Sequence, residues 1–305
     1  MIGSSKMTGR FSQYSNTPIL RYSNGVTLIE LLIALVISAV LIAGIYRAFI
    51  HQQKTYATQE QVTDMQQNAR VAINRMMREI RMAGFGSVRN VLPLDAHDGP
   101  FNNEINFASN VNHVGQNDDQ ITIIGAFELV TTLAVNFSGN SNTIEVKGYA
   151  SKFKPDTGPG EYDKYICIGG LESRKVTSID DKKITLSSKL KSSYAAGTPV
   201  YKIHAVTYQL GWDTKDPTKP VLRREDNTTQ GGAQPLADNI ENLQFEYFDA
   251  SGNLTVTPAD VRMVRVTVTA RTDSEDRELK KVSTDGFRRR TISSNIQVRN
   301  MGVNP

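Results

Sequence analysis

Apolar and polar positions along this chain follow three different patterns in succession. The first 25 residues are polar and contain Lys6, Arg10 and Arg21 but no Asp or Glu. The 21 residues from Val26 to Tyr46 are apolar and charged only at Glu30, long enough for the roughly 20 residues that cross a bilayer core. No proline occurs between Pro18 and Pro93, and Gly44 is the only glycine from Val26 to Ala83, so the spacing predicts one uninterrupted helix to about Ala83. At about 1.5 Å per residue such a helix runs to roughly 87 Å, well beyond a membrane's needs, and its second half must pack on something soluble. Val62, Met65, Ala69, Ala72, Met76, Ile80 and Ala83 recur at spacings of three and four and form the stripe that would do so. Arg70, Arg75, Arg78, Glu79 and Arg81 fall largely off that stripe and read as its solvated face.

Gly84-Phe85-Gly86 ends the helical pattern, and Asp95 to Asn117, rich in Asn, Asp, Gly and His, reads as a long surface loop. Beyond it the period changes to strands. Short β-branched runs occur at Asp119–Phe127, Thr143–Tyr149, Tyr165–Ile168, Lys175–Ile179, Lys183–Leu186 and Val200–Gln209. Asp180-Asp181-Lys182 is a hairpin candidate between two of them. Leu243–Asp249, Val261–Ala270 and Thr291–Arg299 follow, with a turn at Asp249–Asn253, and Val264, Val266 and Val268 alternate onto one face. The expected fold class is α+β: a long N-terminal helix, membrane-spanning in its first half, laid against an antiparallel β-sheet head. The expected organisation is a leader over 1–25, the helix over 26–84 with its membrane segment at 26–46, and a β-rich head over 85–305.

Charge sharpens the N-terminal picture. Of the formal net charge of +4, the leader's three basic residues supply +3, so the remainder is close to neutral and a pI near 9.0 is a weak argument for a nucleic-acid partner. A basic leader resists transfer and stays on the cytoplasmic side. A secretory signal carries its apolar region ahead of the cleavage point and loses it, whereas a cut between Gly25 and Val26 would precede the apolar run and retain it. A carboxylate inside a spanning segment is costly and usually has a partner. Near a helix N-terminus the dipole lowers that cost. The new amine of Val26 supplies a cation that Glu30 of a neighbouring copy could meet. Ala34, Ser38, Ala39, Ala43 and Gly44 are small enough for helices to approach closely.

Gly25-Val26-Thr27-Leu28-Ile29-Glu30 resembles the signal motif of the type IV pilin and pseudopilin superfamily. The resemblance implies cleavage after Gly25 by a prepilin peptidase, N-methylation of Val26 by the same enzyme, and an assembly role for Glu30, with Thr27, Leu28 and Ile29 as motif positions. Val26 departs from the phenylalanine of most major pilins, which points toward a minor subunit. Asp238-Asn239-Ile240-Glu241-Asn242-Leu243-Gln244-Phe245-Glu246-Tyr247, the valine strand and the closing Arg289–Asn300, together with Met76 to Gly86, resemble PilW-type minor pilins. The match is loose from Leu92 to Pro235. That resemblance implies an inner-membrane subunit with a periplasmic head, later carried in a pilus. Its partners would be other minor pilins, the major pilin and the inner-membrane assembly platform. A J-type pseudopilin of type II secretion, and a pilus-borne adhesin or DNA-binding subunit, are the rival readings.

No catalytic, cofactor or metal site is expected. His51, His97, His113 and His204 lack metal-ligand spacing, and no Walker loop, nucleophile elbow or zinc motif occurs. Asp118-Asp119 and Asp180-Asp181 lie in no EF-hand frame. Lys280-Lys281 and Arg288-Arg289-Arg290 lack the interleaved aromatics of a single-strand nucleic-acid site. Cys167, the one cysteine, reads as a core residue in an Ile-Cys-Ile stretch.

Overall fold

The computed structural model describes residues 25–94, 100–107, 120–155, 163–229, 231–283 and 285–301. The α+β architecture expected from the patterning is present: one long helix, α1 (Leu28–Arg81), then strands that pair only antiparallel. The chain separates into two compact units, one ending at Tyr56 and the other running from Ala57 to Pro305. Their boundary falls inside α1 rather than at its C-terminal end. The leader before Gly25, with Lys6, Arg10 and Arg21, lies outside the described residues, as do His97, His113 and Asp118-Asp119.

In the second unit, α1 buries the stripe its spacing announces. Met65, Ala69, Ala72, Met76, Ile80 and the following Ala83 are all buried, and Val62 packs at the margin. Ile73 joins them. Glu79 does not belong to the solvated face where its arginine neighbours place it. It is 5 % exposed because partners distant in sequence satisfy it. Tyr208 donates its hydroxyl to Glu79 Oε2 at 2.6 Å, and the Arg224 guanidinium reaches Glu79 Oε1 at 3.1 Å. Arg75, one turn back, closes on the same oxygen at 2.7 Å. Burial, with the neighbouring Glu79 charge and hydrogen bond, pushes the Tyr208 phenol well above its usual range, so it stays a donor.

The helix ends because the chain must turn beneath the sheet. Gly84 has φ +78 and gives its N–H to the Ile124 carbonyl at 2.9 Å. Gly86 has φ +94, and a Cβ there would lie 2.8 Å from Ala126 Cβ and 2.9 Å from Cys167 Sγ. Both the left-handed backbone and the close approach call for glycine.

Among the described residues, nine strands form the larger sheet: β1 (Ile105–Phe107), β2 (Ile121–Thr132), β3 (Thr143–Glu145), β4 (Tyr165–Ile168), β5 (Glu172–Asp180), β6 (Lys183–Leu186), β7 (Pro199–Trp212), β8 (Pro220–Asp226) and β9 (Gln234–Asp238). The long β7 organises it. One edge of β7 pairs with β2, while the other pairs with β4 at residues 200–202 and with β8 at residues 206–212. The remaining strands, β10 (Ile240–Phe248), β11 (Met263–Arg271) and β12 (Arg289–Gln297), make a second sheet in the order β10-β11-β12.

Strands β4 and β6 coincide with the expected runs, and β5 and β6 meet at Asp181 with its φ of +48. Three strands were not expected from the pattern. β1 lies inside the segment read as a long loop, between described and undescribed stretches. β8 and β9 occupy the charged and proline-containing residues before Asp238. The segment read as a single sheet also resolves into two.

Three cores result. Val264, Val266 and Val268 point into the first, with the α1 stripe, Ile121, Ile123, Tyr208, Phe245 and Ile296. The second contains no residue of α1 and is built largely from the far strands, with Phe137, Ile144, Phe153, Ile166, Ile184 and Leu190. The third sits beneath the turn after α1 and includes Val88, Leu94, Tyr165 and Cys167.

Replacing Glu79 with Gln should cost about 3 kcal/mol, because Arg224 is left without its charge partner, whereas Tyr208→Phe should cost about 1 kcal/mol. Thermal unfolding of the detergent-solubilised chain would rank them, and equal small losses would contradict the clamp. Burial raises the Cys167 thiol to about 11. The native protein should therefore resist an aromatic disulfide reagent at pH 8 and react only once unfolded.

Candidate functional site

The expected site residues sit together at the start of α1. Gly25, Val26 and Thr27 precede the helix in non-helical backbone, and Leu28, Ile29 and Glu30 form its first turn. Thr27 is its N-cap in function. The Thr27 amide donates to Glu30 Oε2 at 2.9 Å, and the Thr27 hydroxyl donates to the same oxygen at 2.9 Å. In return the Glu30 amide donates to Thr27 Oγ1 at 3.3 Å. The Leu31 amide donates to the Thr27 carbonyl at 3.2 Å and closes the first helical turn.

This is a reciprocal capping box, in which side chains at the cap and three residues later satisfy each other's backbone donors. The carboxylate also lies where the helix dipole favours negative charge. Glu30 therefore has a partner within its own chain, which the reading of Glu30 as waiting for a neighbour's amine did not include. The signal was present, since Thr-x-x-Glu ahead of an apolar run is the sequence signature of this cap. Only Oε2 is engaged. Among the described residues Oε1 has no partner, so the cap leaves an acceptor for an external cation.

Beyond the cap, every residue from Val26 to Phe49 is exposed, including Leu28 at 84 % and Ile42 at 67 %. By length and composition α1 is apolar enough to cross a membrane. So much bare aliphatic surface is stable only against lipid or other apolar helices.

Residues 20–46 match the family described as the prokaryotic N-terminal methylation motif. The chain carries a prepilin-type N-terminus. The match is consistent with the type IV pilin and pseudopilin superfamily and implies processing by a prepilin peptidase and association with a membrane. It fits anchoring of the prepilin-type helix in the inner membrane. No curated protein and no solved structure matches the chain.

The other candidate chemistry in the prepilin-type chain is tied up in structural bonds. His204, buried on β7, places Nδ1 2.6 Å from Asp226 Oδ2 and Nε2 3.3 Å from Glu128 Oε2. Burial alone would raise the Asp226 carboxyl, but the His204 and Thr228 hydrogen bonds outweigh it and hold it below the usual range. Thr228 Oγ1 is 3.3 Å from Nδ1, the nitrogen that Asp226 already occupies, whereas in a triad the nucleophile faces the ring nitrogen that the carboxylate leaves free. His51 is exposed on α1. No group of three or more His, Cys, Asp or Glu that could hold a metal occurs among the described residues.

The basic runs are largely self-neutralised. Lys280 pairs with Glu275 at 2.5 Å, Lys281 with Glu278 at 2.7 Å, and Arg288 with Asp276 at 2.6 Å. Arg289 bridges Glu241 and Asp285, and its hydrogen bond holds the Asp285 carboxyl down to about 2.

Thr27→Val should remove the cap hydroxyl at a cost of about 1 kcal/mol to the first turn. Amide exchange at residues 28–31 should quicken while the rest of α1 is unchanged, and unaltered exchange there would rule out a capping role.

Proposed function

We propose that this chain is a non-enzymatic minor pilin of the PilW type. It is inserted in the inner membrane with its head in the periplasm and cut between Gly25 and Val26. Methylated at Val26, it joins sibling minor pilins and the major pilin, on an inner-membrane assembly platform, to start or cap a type IV pilus. The observation that carries this reading is the methylation motif, which runs into a bare apolar helix whose first turn holds Glu30 with one carboxylate oxygen unengaged among the described residues.

Each residue then has a physical task. Gly25 gives a peptidase access to the backbone, since it carries no side chain and nothing among the described residues lies within 4 Å of a Cβ built there. Cleavage turns the Val26 nitrogen into a cation one residue ahead of the cap. In a stack of subunits the Val26 ammonium of one copy meets Glu30 Oε1 of the next, while Thr27 keeps Oε2 oriented. That division lets a single carboxylate hold its own helix end and register its neighbour. In lipid, where an unpaired charge is costly, the pairing is favourable only when subunits are correctly offset.

The head supports a structural role. Several of its buried polar groups join elements and its basic loops pair with nearby acids, as the His204 and Arg289 contacts illustrate.

The deciding measurement is the intact mass and N-terminal sequence of the protein from membranes and from sheared filaments. The filament fraction should contain a chain beginning at methylated Val26. Gly25→Val should accumulate at full length in the membrane and be absent from filaments. A leader-bearing chain confined to the membrane in the wild type would overturn the proposal.

A further inference from the structure

The part of the head built on the second core carries a cleft that no contact described above uses. It lies between the connection from β2 to β3 and the edge formed by β3 and β6, has a volume of about 310 Å³, and is lined by residues from Leu133 to Glu145 together with Lys183. That size is at the lower end of the roughly 300–1,000 Å³ typical of small-ligand sites.

The cleft is held open by backbone bonds. Phe137 and Tyr194 exchange N–H···O bonds at 2.7 and 2.8 Å, the Asn140 amide donates to the Leu190 carbonyl at 2.8 Å, and the Ala134 amide donates to the Glu145 carbonyl at 2.8 Å. Asn136 Oδ1 accepts the Ala196 amide at 2.8 Å. Gly139 and Asn140 take positive φ of 78 and 56 to turn the connection. A wall pinned at so many points exists before any ligand arrives, so little ordering cost is left for binding.

Its chemistry is mixed in a particular way. Leu133 and Ile144 are buried in the floor, and Val135 presents a half-exposed aliphatic wall. Above them are the hydroxyls of Ser138, Ser141 and Thr143, each able to donate and accept. Glu145 and Lys183 face each other in the β3–β6 register, yet neither has an ion-pair or side-chain hydrogen-bond partner among the described residues. The cleft thus offers an acceptor charge and a donor charge with no net sign. A phosphate or a nucleic-acid backbone would gain nothing from Lys183 that it did not lose to Glu145. A pyranose fits better: its C–H face suits the aliphatic wall, and its hydroxyls suit groups that both give and take hydrogen bonds.

We infer that this cleft is a binding site for a small neutral saccharide of one or two rings. The inference does not rest on the filament reading, since it concerns binding by the chain whatever machine carries it.

The test is ligand-detected NMR on the full detergent-solubilised chain. The probes are glucose, galactose, mannose and N-acetylglucosamine with their disaccharides, followed by titration calorimetry of any hit. At least one sugar should bind saturably. Glu145→Ala and Lys183→Ala should each weaken it by about tenfold, the loss of a charge-assisted hydrogen bond. Ser138→Trp should abolish binding by filling the cleft, and Lys147→Ala, outside it, should change nothing. These positions lie at the rim of the fold, and unchanged circular dichroism would establish that each variant is folded. Absence of saturable binding across the panel, or binding that survives Ser138→Trp, would overturn the inference. So would binding of a short oligonucleotide that is lost with Lys183→Ala.

Discussion

The head depends on one buried carboxylate. Glu79 projects from the apolar stripe of α1 into the first core and is held there by Tyr208 on β7 and Arg224 on β8, with Arg75 above it. Apolar packing alone would let a helix slide or rotate on a sheet, because hydrophobic burial has no direction. A buried charge does not tolerate such slippage, since each donor must meet it at a defined distance. The turn at Gly84–Gly86 reinforces the same placement, because the backbone there passes against Ala126 and Cys167. The helix end is therefore fixed in both rotation and position on the strands that also organise the larger sheet.

β7 transmits that placement. At 14 residues it is the longest strand, and the switch of its outer partner from β4 to β8 divides the sheet into two directions. One leads to β8, the helix and the three-stranded sheet. The other leads through β4, β5 and β6 to β3 and to a core to which α1 contributes nothing. His204 sits close to this switch, bonded to Asp226 at the end of β8 and to Glu128 on β2. A buried histidine there joins three strands. The part of the head carrying the saccharide cleft thus has its own apolar support and can vary without disturbing the helix clamp.

Much of this was legible in the sequence where period and breakers agree. The run free of proline after Pro18, with Gly44 its lone glycine, defined α1 to within two residues of each observed end, and the valine alternation defined the buried face of β11. The failures share a cause. Glu79 lies among arginines and reads as solvated, because its partners are 129 and 145 residues away. β8, with Arg223, Arg224, Glu225 and Asp226 in succession, lacks an apolar alternation, and several of its charges are spent on cross-element bonds. β9 contains Pro235, which is tolerated because that strand pairs only with β8. At the N-terminus the methylation motif is legible directly, whereas the charge of Glu30 masks its second role as the acceptor in the Thr27 cap.

The cap has one more consequence. By closing the first turn at Leu28, Thr27 acts as a stop that prevents the helix from growing backwards through Val26 into Gly25. The peptide link between those two residues consequently stays outside the hydrogen-bonded ladder, in non-helical backbone. A helix started one turn earlier would wind the same bond into its cylinder and shield it. The hydroxyl that orders the helix end therefore also sets where the hydrogen-bonded ladder begins, so the boundary between helix and non-helical backbone is drawn by a single threonine.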